Sequence, residues 1–385
     1  MEDTLQYDYV IIGSGFGGSV SALRLAEKGY KVLVIEKGKW YKPDDFPKSN
    51  WNLRKWLWMP FLRWFGIMKM SFFKHIVVIS GTGVGGGSLV YANTLPVPKR
   101  DFFTSGSWRN LEDWEKVLKP YYEKALQMLG AEKNPKLFEG DLALKTLSEE
   151  LNITESFEPT NVAVYFGKPG IKAEDPYFKG KGPYRTGCTF CGACMTGCRV
   201  GAKNTLDKNY LYLAQQLGVE ILAEQEVYDV KPGKNGYRIK FKTSTKFFKR
   251  YDFIDTKGVV FSGGVLGTIK LLLKLKRTSL PKISDRLGHD IRTNNESLIS
   301  VTTKDISKDL SKGVAIGSIL HTDKDSHLEI VRYAKGSGFW RLSHLPLVHG
   351  KNVVVRLFKI LKKLVLSPIT YIKIYTVKDW SKSTA

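Results

Sequence analysis

The stretch Tyr7-Asp8-Tyr9-Val10-Ile11-Ile12-Gly13-Ser14-Gly15-Phe16-Gly17-Gly18 decides the fold. Its first six residues form an apolar run rich in β-branched side chains, which predicts a strand. The glycines then turn the chain, and SVSALRLAEKGY behind them has helical periodicity. Gly13 permits the tight turn, Gly15 lets the backbone approach a pyrophosphate, and Gly18 lets the helix lie close to the strand. Phe16 and Gly17 open the helix, where free N–H groups face anionic phosphates. Gly29 ends the helix, Lys31 to Ile35 make a second strand, and Glu36 stands at its end. A carboxylate there accepts hydrogen bonds from ribose hydroxyls and repels a 2′-phosphate. Together these features predict a dinucleotide site, but they do not separate FAD from NAD.

Two later segments extend the reading. Ile79 to Thr94, ISGTGVGGGSLVYANT, is dense in glycine, as suits a backbone passing close to a bulky ligand; the alternative is a flexible surface loop. Gly258 to Lys274, GVVFSGGVLGTIKLLLK, predicts a buried strand turning through Gly263 and Gly264 into a helix, a second crossover returning to the nucleotide sheet. Between them, Leu111 to Gly130 predicts two helical pieces with Pro120 opening the second. Tyr237 to Phe253 alternates as the strands of a small meander.

With these three segments in this order and spacing, the chain resembles the glucose-methanol-choline (GMC) oxidoreductase family. The stretches GGGSLVYANT and AKNTLDKNYLYLA are most similar to its bacterial cholesterol oxidase-like branch. The resemblance covers essentially the whole chain and implies an α/β fold. A Rossmann-like FAD-binding domain would be assembled from residues 1–50, 75–100 and 186–275. Residues 51–74 would form a lid or membrane-contact segment, and 101–185 with 276–385 a mostly antiparallel α+β substrate domain, incomplete here.

The same resemblance implies FAD as cofactor, with its pyrophosphate on the first glycine motif and its adenosine ribose on Glu36. Gly83, Gly85, Gly86, Gly87, Ser88 and Asn93 would lie along the flavin, the backbone at Val227 beside the adenine, and Gly263 at the second crossover. Tyr91-Ala92-Asn93 departs from cholesterol oxidases proper, which often carry Asn followed by glycines at this turn. The implied reaction is hydride transfer from the CH–OH group of an apolar, sterol-like alcohol to the flavin; the electron acceptor is unknown.

Alcohol oxidation also needs a base for the hydroxyl proton. In the family this is a histidine near the C-terminus, paired with a second histidine or an asparagine. Nothing after Gly350 matches that pattern, so the chain is expected to be C-terminally truncated and no catalytic histidine is transferred. Strand alternation places His327, Glu329 and Val331 on one face, making His327 and Glu329 cleft candidates. The plainer reading is a polar strand face in solvent or a satisfied core histidine. The alternative function is a non-catalytic remnant that binds flavin or carries electrons.

Cys188, Cys191, Cys194 and Cys198 are the only cysteines, in the spacing C-x2-C-x2-C-x3-C. Three readings stand: an iron–sulfur cluster, a structural zinc, or buried free thiols. A cluster would pass electrons singly from a reduced flavin to an external acceptor.

The chain of 385 residues is 43% hydrophobic, enough for a sizeable core. Its formal charge of +23 favours anionic partners. Nucleic acid is set aside, because no reader module is present and the charge is spread along the chain. The acidic start leaves no room for a secretory leader, and every apolar run is broken by Lys or Arg. A cytoplasmic location follows, compatible with peripheral contact at the inner face of a membrane. Trp51 to Lys74, WNLRKWLWMPFLRWFGIMKMSFFK, combines aromatics and cations with no acid, which suits a lipid headgroup layer or a lid packed on the substrate domain. Lys351 to Tyr375 repeats the theme, and there a helix without its packing partner is favoured.

Overall fold

Strand β1, Tyr7–Ile12, is sandwiched on both faces, as its continuous apolar run requires. Ile11 faces one core with Ala22, Leu23, Val34, Leu206 and Leu211, while Val10 and Ile12 face another with Leu33, Ile35, Ile239 and Leu275. The computed structural model describes residues 6–74, 76–292, 294, 296–303, 305, 307–377 and 379–385. Met1 to Leu5, on which the expectation of no leader rests, and His75 lie outside the described residues.

After the glycine turn comes helix α1, Phe16–Ala26, followed by β2, Val32–Ile35. Met68–Phe72 (β3) and Val77–Gly81 (β4) form a hairpin that leads into the second glycine segment. Helix α2 is one continuous helix, Trp114–Met128, with Pro120 inside it, which corrects the expected two pieces. Proline there removes one N–H bond to the Lys116 carbonyl, and Lys116 is exposed, so the loss falls on a residue open to solvent. Helix α3, Glu139–Glu150, precedes β5, Phe157–Pro159.

Helix α4, Tyr210–Gln216, leads into β6, Glu220–Leu222, and then a meander of β7, Gln225–Gly233, β8, Gly236–Thr243, and β9, Tyr251–Phe261. The principal sheet runs β6-β2-β1-β9-β8-β7. Its strands β6, β2, β1 and β9 are parallel and the other two antiparallel. Strand β9 enters helix α5, Gly264–Lys276. The strand is only partly buried, because the thirteen-residue crossover helix covers less of it than a fully buried run would need.

A second sheet is wholly antiparallel, in the order β11-β10-β5, where β10 is Ile316–His321 and β11 is His327–Val331. It is anchored by an ion pair between Arg332 and Asp141, both fully buried, with Asp141 also accepting from Ser318 Oγ at 2.6 Å and from the Phe138 N–H at 2.9 Å.

The aromatic segment 51–74 divides. Trp56, Leu57, Ile67 and Met68 are core, packed with Phe46 and with Leu89 and Val90 of the second glycine segment, and Trp58 is buried as well. Of its large apolar side chains, Trp51 and those at the turn tips Phe61-Leu62 and Phe72-Phe73 are exposed. Helices α6, Val353–Leu366, and α7, Pro368–Thr376, bury none of their residues. No helix among the described residues is long and apolar enough to cross a membrane.

Candidate functional site

The three glycine segments meet. A Cβ on Gly13, whose φ is +102°, would lie 2.5 Å from the Ser262 carbonyl oxygen, and one on Gly86 would lie 2.6 Å from the Gly15 Cα. Only backbones without side chains approach so closely. A further joint is the edge-on contact of Phe16 and Tyr91, with ring centroids 5.7 Å apart.

Above this junction runs one groove of about 1420 Å³, larger than most small-ligand sites. Gly13, Gly15, Phe16, Gly17, Glu36, Gly86, Gly87, Val227 and Gly263 line it. Helices α1 and α5 both point their N-termini at it, with Gly15 and Gly263 as caps that offer no side-chain acceptor, so first-turn N–H groups stay open to an anion. A Cβ on Gly15 would meet no protein atom within 4 Å.

Glu36 is buried and holds the turn. Its Oε2 accepts from the Ser14 N–H at 3.0 Å and the Ser14 hydroxyl at 2.8 Å, and its Oε1 accepts from the Gly38 N–H at 2.8 Å. The oxygen bonded to Gly38 keeps a lone pair for one more donor. At Val227 the pairing of β7 with β8 slips, leaving Tyr228 as a bulge beside the groove wall.

Gly18, Gly83, Gly85, Ser88 and Asn93 do not line the groove. Gly18 packs helix on strand, since a Cβ there would sit 1.9 Å from the Gly13 oxygen. The Ser88 hydroxyl is committed to the Gly85 carbonyl and the Leu206 N–H. Asn93 is fully buried in a left-handed conformation, φ 62°. Sequence reasoning missed Thr82 and Thr94, which do line the groove and carry buried hydroxyls with no protein partner. Both stand in or beside the glycine-dense stretch, where a buried threonine is the available signal.

It also missed Lys203. This side chain is buried, and its ammonium donates to the carbonyls of Leu89 at 3.2 Å, Tyr91 at 2.7 Å and Cys194 at 2.8 Å. Burial pulls its pKa down to about 7, against the opposing pull of the Cys194 and Cys198 sulfurs. Three carbonyl acceptors use all three ammonium hydrogens, so the geometry favours the charged form.

The four cysteines line one small cavity of about 10 Å³, with Lys203 and Gly313. Among the described residues, however, no three His, Cys, Asp or Glu side chains are arranged to hold a metal ion. Burial pushes the Cys188 thiol up to about 12 and the Cys194 thiol up to about 11, which favours protonated sulfur. For Cys198, burial is outweighed by Lys208 and by N–H groups of Lys203, Gly201 and Ala202, and its pKa falls. As arranged, the set is one of free thiols and does not fit a cluster or zinc.

His327 and Glu329 both line the groove, with His327 Nε2 3.8 Å from Glu329 Oε1. Burial raises the Glu329 carboxyl above its usual range. On the neighbouring strand His321 stands edge-on to His327, centroids 5.9 Å apart.

Comparison with known proteins gives the site its setting. A cholesterol oxidase of Acinetobacter baumannii is 44% identical over 98% of this chain and 70% of its own length. One from Mycobacterium tuberculosis is 41% identical over 98% of this chain and 68% of its own. Among solved structures, pyridoxine 4-oxidase from Mesorbium loti matches with a TM-score of 0.49 and 16% identity, over 83% of this chain and 64% of its own. The family model described as GMC oxidoreductase matches residues 7–279. The three-way glycine junction thus falls within that match, and the chain belongs to the GMC oxidoreductase family.

Proposed function

We propose that the groove binds FAD and that the protein oxidises the CH–OH group of an apolar, sterol-like alcohol. The observation that carries this is the meeting of three distant glycine turns beneath one groove whose walls hold the orphaned hydroxyls of Thr82 and Thr94. Buried hydroxyls without partners are costly, and a polar ligand relieves them. Family membership implies the same cofactor. The sterol class is supported by the names of the Acinetobacter and Mycobacterium relatives.

When bound, the flavin supplies a two-electron acceptor for hydride from the alcohol carbon. The protein's own residues bind and orient. The two open helix N-termini would take the pyrophosphate, Glu36 would take a ribose hydroxyl on its remaining lone pair, and the backbone at Val227 would border the adenine. Gly86, Gly87 and Tyr91 would flank the ring system. His327 and Glu329 would face substrate, with Glu329, raised by burial, able to hold a proton at its carboxyl. In this arrangement residues 101–185 and 276–385 supply the substrate side.

Relatedness at 44% identity over 98% of this chain and 70% of the relative's length disfavours the reading as a non-catalytic remnant. The test is flavin absorbance of the purified protein, then anaerobic bleaching by a panel running from 3-hydroxysterols to short polar alcohols. Bleaching by sterols first is the expected result. Retained flavin that only small polar alcohols bleach would overturn the substrate class, and failure to retain or rebind flavin would overturn the cofactor.

A further inference from the structure

Phe247 and Phe248, at the turn joining β8 to β9, are 70% and 83% exposed, and Phe61, in a turn far away in sequence, is 78% exposed. Phenylalanine is seldom left so bare, and exposure of this degree means the rings stand proud of the scaffold. The two turns are joined. The Arg63 guanidinium lies over the Phe247 ring, 5.3 Å from its centroid, and donates to the Thr245 carbonyl at 3.4 Å. Phe247 and Phe248 themselves meet edge-on at 5.0 Å.

Cations ring these tips. Lys246, Lys249 and Arg250 flank the phenylalanine pair, and neither Pro60–Phe65 nor Ser244–Tyr251 contains an acid. The nearby carboxylates are engaged: Glu224 accepts from the Thr245 hydroxyl, and Glu226 pairs with Lys242 at 3.6 Å. Asp252, two residues after Arg250, accepts from the Phe253 N–H at 2.8 Å, and the surface is a protruding apolar point inside a collar of predominantly positive charge.

We propose that this surface, Phe61, Phe247 and Phe248 with Arg63, Lys246 and Arg250, docks the protein on an anionic lipid bilayer. Protruding rings suit a soft, deformable apolar layer, and the cationic collar matches anionic headgroups lying above it. The tryptophans that made Trp51 to Lys74 look like the membrane segment are largely buried, and the contact falls to turn tips instead, one of them outside that segment. The surface does not involve the groove residues, so it stands or falls separately from the flavin chemistry.

The test is co-sedimentation of the purified protein with phosphatidylcholine vesicles, with and without phosphatidylglycerol. The expected result is at least about tenfold stronger partitioning onto the anionic vesicles, weakened by salt. The triple variant Phe61→Ser, Phe247→Ser, Phe248→Ser should lose at least about tenfold in partitioning while keeping its flavin content and melting temperature. The pair Lys246→Glu, Arg250→Glu should lose the preference for anionic vesicles. Undiminished binding by the triple variant overturns the proposal. So does indifference of the unaltered protein to vesicles, including the case where it binds an acidic polypeptide instead. Loss of binding in Phe358→Ser, Leu361→Ser of helix α6, with the triple variant unaffected, would move the contact to that helix.

Discussion

Gly86 lies against Gly15 so closely that a Cβ on Gly86 would stand 2.6 Å from the Gly15 Cα, and a methyl there has to be accommodated by backbone. The two residues belong to turns about seventy positions apart, and their contact closes the floor of the groove. Glycines around this point therefore divide into those that face ligand space and those that face protein, and substitution separates the two kinds.

Gly15→Ala puts a methyl into open groove, with no protein atom within 4 Å. The variant is expected to melt within about 0.5 kcal/mol of the unaltered apoprotein yet lose bound flavin. Gly18→Ala drives a methyl to 1.9 Å from the Gly13 oxygen, and is expected to lower stability by about 1–3 kcal/mol or more. Thermal melts of the apoproteins, read beside flavin content, check both. Equal melting temperatures for the two variants would show that Gly18 is not a packing glycine.

Lys203→Met keeps the length of the side chain and removes its donors. The carbonyls of Leu89, Tyr91 and Cys194 then lose their partner inside the protein, at about 1–3 kcal/mol for a buried group left unsatisfied. A loss of about 3 kcal/mol in denaturant unfolding is expected. A loss below about 0.5 kcal/mol would mean that water replaces the ammonium.

Asp141→Ala leaves Arg332 buried without its counter-charge, a change that costs about 3–5 kcal/mol. The double variant Asp141→Leu, Arg332→Met should cost clearly less than the two single changes added together. A double-mutant cycle measured by denaturant unfolding decides this, and simple additivity would show that the pair is not coupled.

His321 governs part of the acid response. Burial, assisted by Lys99 and His327, holds its imidazole below the ordinary value against the pull of Glu158. The folded protein thus binds this proton less readily than the unfolded chain. Stability from this source is full above about pH 6.5 and is lost as pH falls through the lower folded value. His321→Gln should flatten the acid limb of melting temperature against pH and leave the neutral limb in place. An unchanged acid limb would assign the sensitivity to another group.

The nucleotide half of the fold was legible because its determinants are local. A buried parallel strand, a glycine turn, a helix and an acid at the next strand end are each fixed by sterics within a few residues, and Tyr7 to Glu36 shows all of them. What the sequence did not reveal depends on direction or distance. Within the glycine-dense segment Ser88 and Asn93 turn away from the groove while Thr82 and Thr94 turn toward it, and composition carries no sign of that. Trp56 and Trp58 sit among cations in a stretch that suited a headgroup layer as well as a packed lid, yet both are buried, Trp56 in one cluster with Phe46 and Leu89. Lys203 looked like one charge among many, since only the folded chain brings three carbonyls to its ammonium. Pro120 suggested a helix start, and an exposed Lys116 let the helix pass through it.

The pairing of β1 with β9 has a consequence for synthesis. Tyr7 and Thr256, joined by a hydrogen bond, are 249 positions apart. At about 5–20 residues per second, roughly 10–50 s separate their exits from the ribosome. For that interval the first strand has one open, apolar edge, the condition under which nascent chains aggregate or recruit chaperones. Expression yield should therefore respond to translation speed and chaperone supply, and a polypeptide released before Phe261 has no route to a closed floor beneath its groove.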